Sequence, residues 1–181
     1  RHPEMEADDV IADLVLRQLP AQHEKIICSS DTDFIQLCQV PDNQVKLYNP
    51  IKKDFREPPE YPYAEWKALR GDSADNIPGL KGIGNKRATT LLTESGAFDA
   101  FFDKKPDLKP QYENNLEMIA LRAMTAEEFE DVEMWFAKDN VEMLRETFTQ
   151  MKLKSMITDK AWNNYIKPFG ELKDGRECFI E

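Results

Sequence analysis

The chain has 181 residues, 41% of them hydrophobic, which suffices for one large or two small globular domains. It lacks any apolar run near the roughly 18 residues of a membrane span, so no membrane partner is expected, and its three cysteines form no CxxC pair, which disfavours a disulfide framework or zinc site and fits a reducing cytoplasm. The net charge of −10 argues against a nucleic-acid partner, yet residues 61–110 carry 7 acids and 8 bases while the segments on either side are acidic.

In chain order, residues 6–19 place Ala7, Val10, Ile11 and Leu14 at helical spacing, with Glu6, Asp8 and Asp9 at the start. Acids there complement the helix dipole, so the triplet alone has a purely structural explanation. Residues 25–29 read as a short buried strand, followed by Asp31 and Asp33 and a short helix through Phe34, Ile35 and Leu37. One acid could cap that helix, but a cap does not need two. Carboxylates at the carboxyl end of a strand lie where open α/β sheets bind ligands. Val45 to Tyr48 reads as another strand, and the proline-rich 49–63 as a loop or boundary whose Lys52, Lys53 and Arg56 form a solvated surface cluster.

A helix is expected over 63–70, and the stretch RGDSADNIPGLKGIGNKRATTLL, Arg70 to Leu92, follows. It sets Asp72 and Asp75 just before a turn punctuated by Gly79, Gly82 and Gly84, and then a helix from about Asn85 to Thr93 that opens with Lys86 and Arg87. Such glycines let the backbone turn tightly and approach a ligand, and N–H groups at the next helix start favour phosphate. Residues 103–110 read as an exposed loop. The remainder reads as helical, with capping boxes at Thr125/Glu128 and Asp139/Glu142. Phe129, Val132, Met134, Trp135 and Phe136, and then Val141, Leu144, Phe148 and Met151, are assigned to core packing; Trp162 to Phe169 is too short to classify.

The acids thus fall into three clusters: Glu6, Asp8 and Asp9; Asp31 and Asp33; Asp72 and Asp75. Hard oxygen ligands in a chain with two histidines suit Mg²⁺ or Mn²⁺, and close carboxylates ionise together only with a cation. Two such ions about 3.5–4 Å apart support in-line attack on a phosphodiester. Lys81, Lys86, Arg87 and the backbone near Gly82, Gly84 and Asn85 would grip duplex phosphates, which positions a duplex without reading bases.

EADDVIA, SSDTDFIQL and GDSADNIPGLKGIGNKRA resemble, in order, motifs of the flap endonuclease and 5′-to-3′ exonuclease family, including the nuclease domains of bacterial DNA polymerase I. The pattern, with PEMEADDVIA and QYENNLEMIAL, looks most similar to the T-even phage ribonuclease H branch. The three motifs cover residues 4–92; beyond 111 the likeness is weaker. The resemblance implies an α/β fold, a mainly parallel sheet flanked by helices (a PIN-like nuclease core over 1–60), with a helical DNA-binding region over 61–181. A helix–three-turn–helix would lie at about 63–93.

It also implies a two-metal 5′ nuclease acting on double-stranded and flap DNA or RNA–DNA hybrids in replication or repair. Glu6, Asp8, Asp9, Asp31, Asp33, Asp72 and Asp75 would be the catalytic metal-binding acids, with two Mg²⁺ ions that Mn²⁺ can replace, and Lys81, Gly82, Gly84, Asn85, Lys86 and Arg87 the DNA hook, with K⁺ at its turn carbonyls. A sliding clamp or single-strand DNA-binding protein would be its partner, the chain a monomer, and the cytoplasm of a phage-infected bacterium its setting. Family members carry a first strand with an aspartate, a second acidic motif and a basic helical arch before EADD, and these are expected upstream of Arg1. Two further readings stay open: a DNA-structure-binding module without chemistry, and a PIN-type ribonuclease, against which the glycine hook speaks.

Overall fold

The computed structural model describes residues 2–133 and 141–173. The chain divides into two compact units, Arg1–Met134 and Trp135–Glu181. In the first, helix α1 (Ala7–Asp13) runs into a π-helical turn, Leu14–Gln18. The inward residues are Val10, Ala12, Asp13 and Val15, while Ala7 is exposed, so the buried face differs from the stripe that 3.6-residue spacing predicts. Asp13 is fully buried and is satisfied by Arg17, Gln18 and the N–H of Met124.

Strand β1 (Lys25–Cys28) pairs in parallel with β2 (Val45–Asn49), the crossover containing the short helix α2 (Ile35–Cys38). β2 then pairs antiparallel with β3 (Asp54–Arg56). The sheet of the described residues is therefore mixed rather than mainly parallel, and the segment expected to be loop contributes its third strand. β1 also differs from a strand buried on both faces: Ile27 is buried and Ile26 is 54% exposed, with Lys25 buried against Asn43. One side of the sheet, with Ile27, Val45 and Leu47, packs on Phe34 and Leu37; the other is largely exposed.

Helix α3 (Tyr63–Arg70) lies at the junction of two hydrophobic clusters. Tyr63 belongs to the cluster beneath the three-stranded sheet, Ala68 and Leu69 to a second one, and Trp66 packs against both. Gln39 sets where the helix begins, donating to the carbonyls of Pro59 and Tyr61 while accepting the Tyr63 N–H. A two-stranded ladder follows, β4 (Gly71–Asp72) against β5 (Ile77–Pro78). Helix α4 (Asn85–Thr93) comes next, and α3 and α4 have the bounds expected from the sequence.

The stretch read as an exposed loop at 103–110 instead holds the end of α5 (Ala97–Lys104), a 3₁₀ turn at Pro106–Leu108, and the start of α6 (Lys109–Ile119). Pro106 opens its turn and Pro110 is the second residue of α6, positions in the first turn where the N–H has no intrahelical partner to lose. Phe98, Phe102 and Tyr112 meet edge to face, and they close the second cluster over Leu80 and Ile83. The Thr125/Glu128 capping box forms as expected and starts α7 (Ala126–Glu130).

In the second unit α8 (Val141–Gln150), α9 (Lys154–Ile157) and α10 (Asp159–Lys173) group around Phe148, Trp162 and Tyr165, with Arg145 over the Trp162 ring. Met151 is 64% exposed and is not a core residue. Met134, Trp135, Phe136 and the Asp139 cap lie outside the described residues. Among the described residues no helix is long and apolar enough to cross a membrane.

Candidate metal centre and nucleic-acid interface

Three acids from two places in the chain converge. Asp33 follows β1, Asp72 ends β4 and Asp75 lies in the turn to β5, and one carboxylate oxygen of each lies within 4.8 Å of the others. The local fold explains the placement. Asp31 Oδ1 accepts the Asp33 N–H at 2.9 Å, a side-chain turn that directs the chain into α2, and Asp72 Oδ1 likewise accepts the Ala74 N–H at 3.0 Å. Each acid thereby shapes its own loop.

Asp8 stands near this group. Burial lifts its carboxyl above the usual range, and the charges of Asp31, Asp33, Glu6 and Asp9 lift it further. Asp9 is turned to another task, since its Oδ1 accepts the Arg122 N–H at 3.0 Å. Glu6 is exposed at the N-cap position of α1, without a side-chain cap bond. The geometry thus joins Asp33, Asp72 and Asp75 most tightly; Asp8 and Asp31 share an electrostatic interaction with Asp33, and Glu6 and Asp9 act on the group through Asp8.

A residue absent from the sequence reading occupies the centre. Lys67 of α3, its side chain 3% exposed, forms ion pairs with both Asp33 and Asp72. Burial works against its charge, but the two carboxylates outweigh burial and hold its pKa above the ordinary value. The two acids respond differently. Burial raises Asp72, yet the Lys67 bond, the Ala74 N–H and the Arg70 charge together hold it below the usual range. Asp33 is lifted, because burial and the Asp31 and Asp72 charges exceed the help from Lys67. The available signal for Lys67 was its position: it falls four residues after the buried Tyr63, on the inward face of the helix.

The glycine turn begins beside these acids. Gly71 has φ +83°, and an added Cβ there would lie 2.2 Å from the Gly79 nitrogen; one on Gly79 would lie 2.0 Å from the Arg70 carbonyl oxygen. These two glycines allow β4 and β5 to cross at backbone contact. Gly82 takes a left-handed φ of +80°, and Gly84, the N-cap of α4, has no atom within 4 Å of its would-be Cβ. Lys81, Gly82, Gly84, Asn85, Lys86 and Arg87 are all exposed. Arg87 lies over the Phe101 ring and reaches the Gly82 carbonyl, so its guanidinium is already oriented along the turn.

Two side chains tie hook to cleft. Trp66 Nε1 donates to Thr89 Oγ1 at 3.0 Å, linking α3 to α4 one residue before Lys67. Asn115, 2% exposed, donates to the carbonyls of Ala68 and Pro78 at 2.9 and 2.8 Å, and so holds the end of α3 to β5.

Residues 58–145 match the protein family described as 5'-3' exonuclease, C-terminal SAM fold, a span that includes α3, the glycine turn and α4. The chain is 30% identical over 173 residues to the thermostable DNA polymerase I of Thermus thermophilus, which covers 86% of the chain and 20% of that protein. It is 35% identical over 121 residues to a 5'-3' exonuclease of Halalkalibacterium halodurans, covering 61% of the chain and 39% of the relative. Over 151 residues it is 31% identical to the flap endonuclease Xni of Photorhabdus laumondii, covering 78% of the chain and 59% of the relative. The chain spans between a fifth and about three-fifths of the lengths of these relatives.

Proposed function

We propose that the chain is the C-terminal part of a metal-dependent 5′ nuclease that hydrolyses phosphodiesters at the 5′ ends or flaps of duplex DNA and at RNA primers, in the manner of the phage ribonuclease H branch. The observation that carries the proposal is the convergence of Asp33, Asp72 and Asp75 within 4.8 Å at the base of the glycine turn that leads into α4. The donor set fits Mg²⁺ or Mn²⁺: all carboxylate oxygen, from residues held by their own loops, with no imidazole or thiolate among them. Asp33, Asp72 and Asp75 would hold such an ion, and Asp8 and Asp31, which interact electrostatically with Asp33, would serve a second. When bound, divalent ions would supply a nucleophilic water and stabilise the leaving oxygen.

This chain's own residues do the positioning. Backbone N–H groups at Gly84 and Asn85, with Lys81, Lys86 and Arg87, would engage duplex phosphates without reading sequence. Trp66 and Asn115 hold that grip at a set distance from the acids, which would determine where the cut falls. K⁺ at the turn carbonyls, and a clamp or single-strand DNA-binding partner, belong to the same proposal.

The test uses the complete protein containing this chain and a 5′-flap duplex in Mg²⁺. Asp72→Asn is expected to lower turnover by at least about 100-fold, as loss of a ligand to a catalytic ion does. Turnover equal to wild type would sink the assignment.

A further inference from the structure

Lys67 is unusual among the charged residues of the first unit because its ammonium is both deeply buried and shared between two acids from different elements. A buried charge is tolerated only when paired, and separating it from its partners is strongly destabilising. Here the pairing joins α3, the loop after β1, and β4, the three pieces of chain that carry the acidic cleft. Asp75 is a third acid within 4.8 Å of the same pair, and it forms no ion pair with Lys67. Three carboxylates alone would sum to −3; with Lys67 the group sums to −2, the charge that one divalent cation neutralises.

We propose that Lys67 is a built-in cation of the acidic cleft: it holds Asp33 and Asp72 together before a divalent ion arrives, and it competes with that ion for their oxygens. The proposal rests on the reading of the cleft as a metal site. It makes Lys67 a positioning residue with two opposed effects. Its charge preforms the site, and the same charge weakens divalent binding by repulsion across a few ångströms. A merely structural lysine would have the first effect without the second.

The experiment measures Mn²⁺ binding to the 181-residue chain by electron paramagnetic resonance, alongside thermal melting with and without Mn²⁺. Lys67→Met keeps the length of the stem and removes the charge. It is expected to melt lower than wild type without metal, to bind Mn²⁺ about tenfold tighter or more, and to gain more from added Mn²⁺. Lys67→Arg, which keeps the charge, is expected to stay within about threefold of the wild-type affinity. Wild-type binding with no tightening in Lys67→Met would overturn the built-in cation and leave the metal site standing. No Mn²⁺ binding by either chain at millimolar concentration would overturn both.

A second measurement needs no variant. In the metal-free wild-type chain, the Lys67 ammonium should give an exchange-protected NMR resonance that moves as Mg²⁺ is added. A resonance that is absent, or that ignores the metal, overturns the proposal even if Lys67→Met fails to fold.

Discussion

Replacing Gly79 by alanine separates the glycines that the backbone requires from those that leave room for a ligand. A Cβ at this position would lie 2.0 Å from the Arg70 carbonyl oxygen, 2.4 Å from its carbon and 3.0 Å from the Gly71 nitrogen. All three are backbone atoms, so no side-chain rotation relieves the overlap. Forcing extra volume into a packed site costs about 1–3 kcal/mol and occasionally more. Pushing β5 from β4 also strains the Leu80 N–H bond to the Leu69 carbonyl and the Asn115 bond to Pro78, each worth about 0.5–1.5 kcal/mol. The sum is about 2–6 kcal/mol, or a melting temperature roughly 7–20 °C lower for a unit of this size. Gly84→Ala is the control. Its φ of −111° suits any residue and its Cβ would meet nothing, so the fold should lose at most about 1 kcal/mol. Duplex affinity should nevertheless fall by about tenfold, because a methyl would stand where the backbone approaches a phosphate. Differential scanning calorimetry and a fluorescence-anisotropy titration of a short duplex give both numbers. If Gly79→Ala melts within about 2 °C of wild type, the crossing-strand argument is wrong.

Asn115→Leu should destabilise the first unit by about 2–4 kcal/mol in urea denaturation, since it leaves the Ala68 carbonyl at the end of α3 without its donor; a loss under about 1 kcal/mol would show that water replaces the amide. The Glu128 carboxyl is lowered from an ordinary 4.5 to about 2, first by Arg122 and then by the Thr125 N–H. A group depressed on folding stabilises above its unfolded pKa and loses that contribution as pH falls through the folded value. The α7 cap should therefore be intact above pH 4.5 and lost toward pH 2, a window that disappears in Glu128→Gln. Amide exchange of the Thr125 N–H, which the Glu128 carboxylate accepts, followed against pH in both proteins, checks the sign.

Local chemistry made part of this protein readable from the sequence. The spans of α3 and α4, the Thr125/Glu128 capping box and the strands β1 and β2 were legible in short stretches of sequence. The meeting of Asp33, Asp72 and Asp75 was foreshadowed because each follows a strand or starts a turn, where ordered loops present polar side chains. Other features depend on contacts between distant residues, which no local pattern encodes. β3 pairs because β2 offers an edge, although its own three residues carry little strand signal. Pro106 and Pro110 read as breakers, yet they start helices that the aromatic cluster stabilises. Asp9 looks like Asp8 in the sequence, but only the approach of Arg122, 113 residues away, turns it from the cleft. Lys67 differs from a surface lysine only because the fold sets Asp33 and Asp72 on either side of it. The sequence by itself determined which residues could bear charge and where the backbone could turn, since both are properties of single side chains and short spacings. Only the tertiary structure decided which charges share one desolvated space, because burial and proximity are properties of the packed chain.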